Sequence, residues 1–376
     1  MKLLLINSVC GIRSTGRIVI DIAAEYEKNG YDVKIAYGRE SVPEQYKKYA
    51  VRIGTDTNVK LNALSCRIFD NDGFAAKAQT RKFLKWADEY NPDVLWLHNI
   101  HGYYLNTPML FDWIKSRPNM QVKWTLHDCW SFTGHCSHFS YEKCYKWEEC
   151  CDDCPLVKEY PSSYVFDNSK KNFLKKKQSF VDVADLTVIT PSAWLAGLVK
   201  KSFLKNYPVE VIYNKIDESV FKPVISDFRF RFHLENKKII LGVASAWGEK
   251  KGLYDFFKLA ELLDDTYQVI LVGLTDKQIK SLPSKIIGIQ RTNSKQELAE
   301  IYSVADVFVN LTYDDNYPTV NLEAQACGTP CITYRTGGSP ESVNPENVIE
   351  VGDVEGMKDR IVEVIENGKN ENIIPD

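Results

Sequence analysis

No run of about 18 apolar residues occurs in the chain, so no segment has the composition of a bilayer-spanning helix. The apolar start through Leu3, Leu4, Leu5 and Ile6 is short, and no small-residue cleavage site follows it. It has the character of a first buried strand rather than a secretory leader, and a cytoplasmic placement is the expectation. Internal repeats and low-complexity tracts are absent too, which excludes a solenoid and a long disordered arm. The glycines form no G-x-G-x-x-G run, so Gly11 with Ser14, Thr15 and Gly16 is not a dinucleotide fingerprint. No basic-aromatic motif of a nucleic-acid reader appears, and nucleic acid is not expected as a partner.

At 376 residues the chain is long for one hydrophobic core, which points to two domains. Its 44% hydrophobic and 12% aromatic content suits a globular protein. The formal net charge of −3 conceals an asymmetry. Residues 1–213 carry 29 basic against 24 acidic side chains, and the remainder 18 against 26. A basic amino-terminal half fits an anionic partner such as a lipid diphosphate or a membrane surface. Its densest run holds Lys170, Lys171, Lys175, Lys176 and Lys177, which reads first as a solvated helix face.

Short apolar runs alternate with helical patterns along the whole chain. Residues 3–7, 33–37, 94–98, 122–126 and 186–190 read as strands of one series. Residues 239–244, 268–272, 307–311 and 330–334 form a second. Continuous apolar strands separated by helices indicate a parallel, doubly wound α/β sheet, here present twice. The expected division is a Rossmann-like domain over 1–210, a linker over 211–223 and a second Rossmann-like domain over 224–376. The last helix is expected to fold back on the first domain. Near 211 a strand ends and a polar connection follows. Ligands of open parallel sheets bind at the carboxyl ends of strands, so two such domains facing each other would make a cleft there.

The segment from Tyr313 to Pro330 is the most informative. Pro318 suits the first position of a helix, where a missing N–H costs nothing. That helix should run through Val320, Leu322, Glu323 and Ala326 and stop at Gly328, with Pro330 behind it. Asp315 falls just outside its N-terminus and Glu323 about a turn and a half inside. The free N–H groups and positive dipole end between them suit a pyrophosphate. One acid can face a sugar and the other a ribose, which is the layout of a nucleotide-sugar site.

Ten cysteines are present, and Cys136, Cys144, Cys150, Cys151 and Cys154 fall in an excursion over 129–165. Cys136, Cys144, Cys151 and Cys154 could bind structural zinc, although Cys151 and Cys154 make the one tight C-x-x-C pair. Reduced cysteines in a packed loop are the other reading. Trp130, Phe139, Tyr141, Tyr145 and Trp147 make the excursion aromatic enough to stack on sugar rings.

Asp315 to Gly338, the joint at 214–223 and the Lys251-Gly252 pair resemble the retaining GT-B glycosyltransferases. Leu97 to Tyr104 and Thr125 to Gly134 resemble a bacterial subgroup that builds capsule, exopolysaccharide of the colanic acid type, or lipopolysaccharide. The resemblance implies that Asp315 holds donor-sugar hydroxyls, that Glu323 holds the ribose, and that His127 contacts the sugar near the reaction centre. Lys251, or Lys250 beside it, would neutralise the departing diphosphate. Backbone groups of Asn316, Tyr317, Pro318, Thr319 and Val320 would meet sugar or phosphate, with Ser245 and Gly16 also on the donor side. On the acceptor side stand Asp128 and, unless they only pack the strand end, His98, Asn99 and His101. Asp315 stands where the family usually has Glu. Asp70-Asn71-Asp72 matches a manganese-binding pattern of another glycosyltransferase fold, but three residues match by chance too easily.

The implied activity is retaining transfer from a nucleotide-sugar donor to a saccharide or lipid-linked saccharide, with no cofactor required and peripheral contact at the inner membrane face. A non-catalytic glycan- or nucleotide-sugar-binding protein and a nucleotide-sugar epimerase are the alternatives.

Overall fold

The structure, a computed structural model, describes residues 1–368. The chain divides into two compact units, Met1–Ile212 and Tyr213–Asp376.

The first unit is built on a sheet of seven strands: β1 (Lys2–Asn7), β2 (Asp32–Tyr37), β3 (Ala50–Arg52), β4 (Val94–Leu97), β5 (Gln121–Thr125), β6 (Leu186–Thr190) and β7 (Val209–Val211). Every pairing is parallel, in the order β3-β2-β1-β4-β5-β6-β7. The second unit repeats the plan with β8 (Lys238–Val243), β9 (Tyr267–Val272), β10 (Ile286–Ile289), β11 (Val307–Asn310), β12 (Cys331–Tyr334) and β13 (Val348–Ile349). Its order is β10-β9-β8-β11-β12-β13, again all parallel. This is the doubly wound α/β plan expected from the strand series.

Central strands are buried on both faces, which explains their unbroken apolar runs. In β1, Leu4 and Ile6 enter one core while Leu3 and Leu5 enter the core on the opposite face. In β8, Ile240 serves one face and Ile239 and Leu241 the other. The strands that the pattern leaves unmarked, or marks only by an end, are β3, β7, β10 and β13. All four are sheet edges, short and only partly buried. A half-exposed edge does not need a continuous apolar run, so the signal fails there for a physical reason.

Helices cover both faces of each sheet. The helix Arg13–Lys28 buries Gly16, Val19, Ile20 and Ala23, spaced to share one face. The last helix, Val354–Asn367, buries Val354, Met357 and Ile361 in a core of the second unit. The excursion over 129–165 contains no strand and one short 3-10 turn, Lys146–Glu148. No helix among the described residues is long and apolar enough to cross a membrane.

Candidate active site

In each sheet the winding reverses between two central strands, β1 and β4 in the first and β8 and β11 in the second. Loops leaving the carboxyl ends of such strands diverge and open a crevice, where ligands of this fold class bind.

In the second unit the loop after β8 carries the 3-10 turn Glu249–Lys251, and Gly252 closes it at φ +71°. A Cβ at Gly252 would meet the Leu311 carbonyl, so the β8 loop lies directly against the end of β11. That approach delivers Lys251 to the β11 loop. Its ammonium lies 2.7 Å from Asp315 Oδ2, 3.1 Å from Thr312 Oγ1 and 3.3 Å from the Asp314 carbonyl. Lys250 is bound differently, because its carbonyl accepts from the Tyr313 N–H at 2.9 Å. Lys251 thus brings its charge to Asp315, and the Lys250 carbonyl helps to fix the loop. Both side chains of the Lys251–Asp315 pair remain partly exposed.

Asp315 is fixed from behind. The Gly338 N–H reaches its carbonyl at 3.4 Å, and a Cβ at Gly337 would collide with the same carbonyl. Gly337 has φ +54°, a second reason for glycine there. Asn316 and Tyr317 are buried, and the Tyr317 carbonyl accepts from Asn214 Nδ2 at 3.2 Å. The helix begins at Thr319, with Pro318 as the residue before it rather than its first. It runs through Ala326 and meets Gly328 at φ +81°. Thr319 and Val320 thus supply first-turn N–H groups. Glu323, partly buried one turn further on, accepts from the hydroxyl of the buried Tyr302 at 3.2 Å. Ser245 is exposed on the β8 loop and lines a groove with Trp247, Gly273, Thr275 and Gln278.

In the first unit, the loops after β4 and β5 bring two histidine pairs together. His98 Nδ1 lies 3.0 Å from His127 Nε2, with ring centroids 5.3 Å apart, and Trp96 also stacks on His98 at 5.8 Å. The buried His98 Nε2 has no partner among the described residues. Burial holds the pKa of His98 well below that of a free imidazole, and His127 lowers it further. Burial also lowers His127, to about 4, despite Asp128. Both rings are therefore neutral at pH 7. The second pair joins a histidine to an acid. His101 Nε2 lies 2.9 Å from Asp128 Oδ2. Burial opposes charge on both, yet their attraction raises His101 and lowers Asp128 to about 2. Asn99 joins the end of β1 through its N–H, 3.2 Å from Asn7 Oδ1. Gly16 lies inside the helix Arg13–Lys28, where a Cβ would press on Val9 Cγ2 and the Gly11 N–H. It permits the close packing of the β1 loop on the helix.

Three expectations are corrected. Lys176 is not on a solvated face: it is buried, donating to the Trp130 carbonyl at 2.7 Å and the Thr133 carbonyl at 3.1 Å. Nor are Trp130, Phe139 and Trp147 free to stack on sugar, since all three belong to the core of the first unit. The zinc set Cys136, Cys144, Cys151 and Cys154 does not fit a metal. Among the described residues, no group of three or more His, Cys, Asp or Glu side chains could hold one. Cys151 Sγ instead accepts from the Gly134 N–H at 3.2 Å, and Cys136 hydrogen-bonds to Cys154. The discounted acids are structural anchors: Asp70 bonds the buried His135 at 2.5 Å, and Asp72 accepts from the Gly102 and Tyr103 N–H groups. Sequence reading missed Tyr302, Thr312 and Gly337, none of which belongs to a local pattern with the residue it supports.

Residues 15–220 match the family described as Glycosyltransferase Family 4, and residues 224–375 match Glycosyl transferases group 1. The chain belongs to the family 4 glycosyltransferases. This enzyme family retains anomeric configuration, and its members typically need no metal. Among curated relatives, a protein of Escherichia coli K12 named as the colanic acid biosynthesis glycosyl transferase WcaC is 24% identical, over 81% of this chain and 74% of that one. The N-acetyl-alpha-D-glucosaminyl L-malate synthase of Bacillus anthracis is 27% identical, over 43% of this chain and 45% of its own. Among solved structures, the sucrose-phosphate synthase of Thermosynechococcus elongatus superposes with a TM-score of 0.70 at 16% identity, covering 99% of this chain and 92% of that one. Anabaena HepE in complex with UDP-glucose gives 0.62 at 16% identity, covering 98% and 90%. These likenesses establish the GT-B fold of this family 4 enzyme.

Proposed function

We propose that this enzyme moves a sugar from a nucleoside diphosphate donor to a saccharide or lipid-linked saccharide in cell-surface polysaccharide synthesis. The observation that carries the donor assignment is the Lys251–Asp315 pair, 2.7 Å apart beside the first turn of the helix Thr319–Ala326. It gives one cation and two free N–H groups for a diphosphate, and one carboxylate for sugar hydroxyls, while Glu323 is held in place for ribose. The HepE complex with UDP-glucose supports a donor of that chemical type. The WcaC relative, and the fold shared with the lipopolysaccharide galactosyltransferase WaaB (TM-score 0.60, 13% identity), motivate the polysaccharide setting.

In this reading the bond from the anomeric carbon to the diphosphate oxygen breaks while an acceptor oxygen bonds to the same face. The acceptor hydroxyl proton passes to the departing phosphate oxygen. Lys251 and the Thr319 and Val320 N–H groups stabilise the charge that develops on the diphosphate, which is worth more in a preorganised site than in water. Asp315 fixes the donor sugar and thereby reduces the entropic part of the barrier. His127, neutral at pH 7, meets the donor sugar without adding charge.

The test is incubation with labelled nucleotide sugars and a bacterial membrane-lipid extract. Label entering the organic phase, with its anomeric linkage matching the donor, is the expected result. Free sugar alone, or an inverted linkage, would contradict it.

A further inference from the structure

In the first sheet β2, β1, β4 and β5 are neighbours, so the residues just past their carboxyl ends are brought together. Arg39 follows β2 and is partly buried. Its N–H and that of Gly38 donate to the Ser8 carbonyl at 2.9 and 3.2 Å, and a Cβ at Gly38 would collide with the Tyr104 ring. The backbone that carries Arg39 is thus held from two sides. Its guanidinium lies over the Tyr103 ring, 5.9 Å from the centroid. Beyond β4, a Cβ at Gly102 would sit 3.3 Å from Arg39 Nη1 and 3.6 Å from the Tyr160 hydroxyl oxygen. The guanidinium and the phenol therefore flank one backbone point, with no side chain between them. The same hydroxyl lies 3.4 Å from His101 Nδ1. Tyr160 belongs to the excursion over 129–165, which in this way delivers a side chain to the loop that carries His98 and His101.

The acids around this point are already engaged. Glu40, next to Arg39 in the chain, pairs with Arg13 at 2.7 Å. Asp128 is taken by His101 and the Trp130 N–H, and Asp72 by the Gly102 and Tyr103 N–H groups. Among the described residues Arg39 has no carboxylate at ion-pair distance and no side-chain hydrogen bond. An arginine that is fixed at its backbone and short of an anion offers a planar fork of donors to one.

We propose that Arg39 and the Tyr160 hydroxyl bind an oxyanion carried on, or next to, the accepting sugar. That oxyanion is a phosphoryl group joined to the sugar or the carboxylate of an acidic sugar. Both present the paired oxygens that a guanidinium grips through two parallel hydrogen bonds. The phenol, which can donate as well as accept, adds a third bond. The inference rests on the transfer proposed above and names the chemical class of its acceptor. The loop that carries Gly102 also carries His98, 3.0 Å from His127, so the anchor lies on the segment that borders the proposed reaction centre.

The experiment is a ligand-observed NMR titration of the full chain with glucose 1-phosphate, glucuronate and neutral methyl glucoside. At least one anionic probe should bind about tenfold more tightly than methyl glucoside. Arg39→Gln should abolish that preference, Arg39→Lys should keep part of it, and Tyr160→Phe should weaken it severalfold. Lys251→Ala, altered at the proposed diphosphate site, should retain it. A preference for glucose 1-phosphate alone identifies a phosphoryl group, for glucuronate alone an acidic sugar, and for both an oxyanion read without distinction. In the transfer assay Arg39→Gln should raise the acceptor KM about tenfold at an unchanged donor KM, which a merely structural role would not do. Equal binding of all three probes, an undiminished preference in Arg39→Gln, or a preference lost only in Lys251→Ala would overturn the proposal. Nucleotide binding by a chain that shows no preference removes the oxyanion site and leaves the transferase reading standing. Absence of nucleotide binding by the wild-type chain would instead defeat that reading.

Discussion

The Lys251 ammonium and the Asp315 carboxylate meet at 2.7 Å, although 64 positions separate them in the chain. The contact exists because β8 and β11 are neighbours at the point where the second sheet reverses its winding, and because Gly252 lets their loops touch. A partly exposed ion pair of this kind contributes little to stability, at most about 1 kcal/mol. In the proposed reading it holds a cation for the diphosphate and an anion for the sugar of one donor.

Lys251→Ala should therefore leave the melting temperature nearly unchanged and lower kcat by about 10²- to 10³-fold, with a smaller effect on donor affinity. Steady-state kinetics with the identified donor checks this. An unchanged kcat would move the charge-stabilising role away from Lys251.

Tyr302→Phe removes a hydroxyl that orients Glu323, without opening a cavity. Loss of a hydrogen bond to a carboxylate is worth about 1.5–3 kcal/mol, so nucleotide affinity should fall by about 10- to 100-fold. Calorimetry on folded protein decides it, and equal affinity would mean that Glu323 does not bind the ribose.

Gly337→Ala places a methyl group against the Asp315 carbonyl and forces a left-handed backbone on alanine. The strain alone costs about 1–3 kcal/mol. The loop must shift Asp315 to accommodate the methyl, so turnover should drop while Gly197→Ala, where a Cβ meets nothing within 4 Å, behaves as wild type. Similar kinetics for the two variants would contradict the placement of Asp315.

Stability should also climb with pH for two reasons. Burial lowers His127 from 6.5 to about 4, so between these values the unfolded chain binds more protons than the folded one. Burial lowers Lys176 from 10.5 to about 7, against the pull of Asp72 and Asp70. Both shifts make the folded state gain stability as pH rises, through about 4 to 6.5 for His127 and about 7 to 10.5 for Lys176. Melting curves of Lys176→Met should lack the upper part of that gain. An identical slope above pH 7 in the variant would show that Lys176 stays charged throughout.

Much of this arrangement was legible in the residue order. The central strands announced themselves because burial on two faces demands unbroken apolar runs, and the helix after Asp315 because Pro318, Gly328 and Pro330 punctuate it. What could not be read was non-local. Nothing near Glu323 points to Tyr302, and nothing near Asp315 points to Gly337; only the sheet order brings these pairs together. Lys176 misled for the converse reason. Its lysine neighbours in sequence are exposed, but helical geometry turns this one inward, where two backbone carbonyls receive it. Trp130, Phe139 and Trp147 of the excursion likewise close a core that the cysteine spacing could not reveal.

The central claim is that the β11 loop and the helix Thr319–Ala326 bind the donor nucleotide. Calorimetric titration of the wild-type chain and of Glu323→Ala with UDP, GDP and ADP tests it most directly. The account predicts saturable one-to-one binding of one nucleotide by the wild type, lost in the variant at an unchanged melting temperature. Binding of none of the three, or equal binding by both proteins, would contradict it.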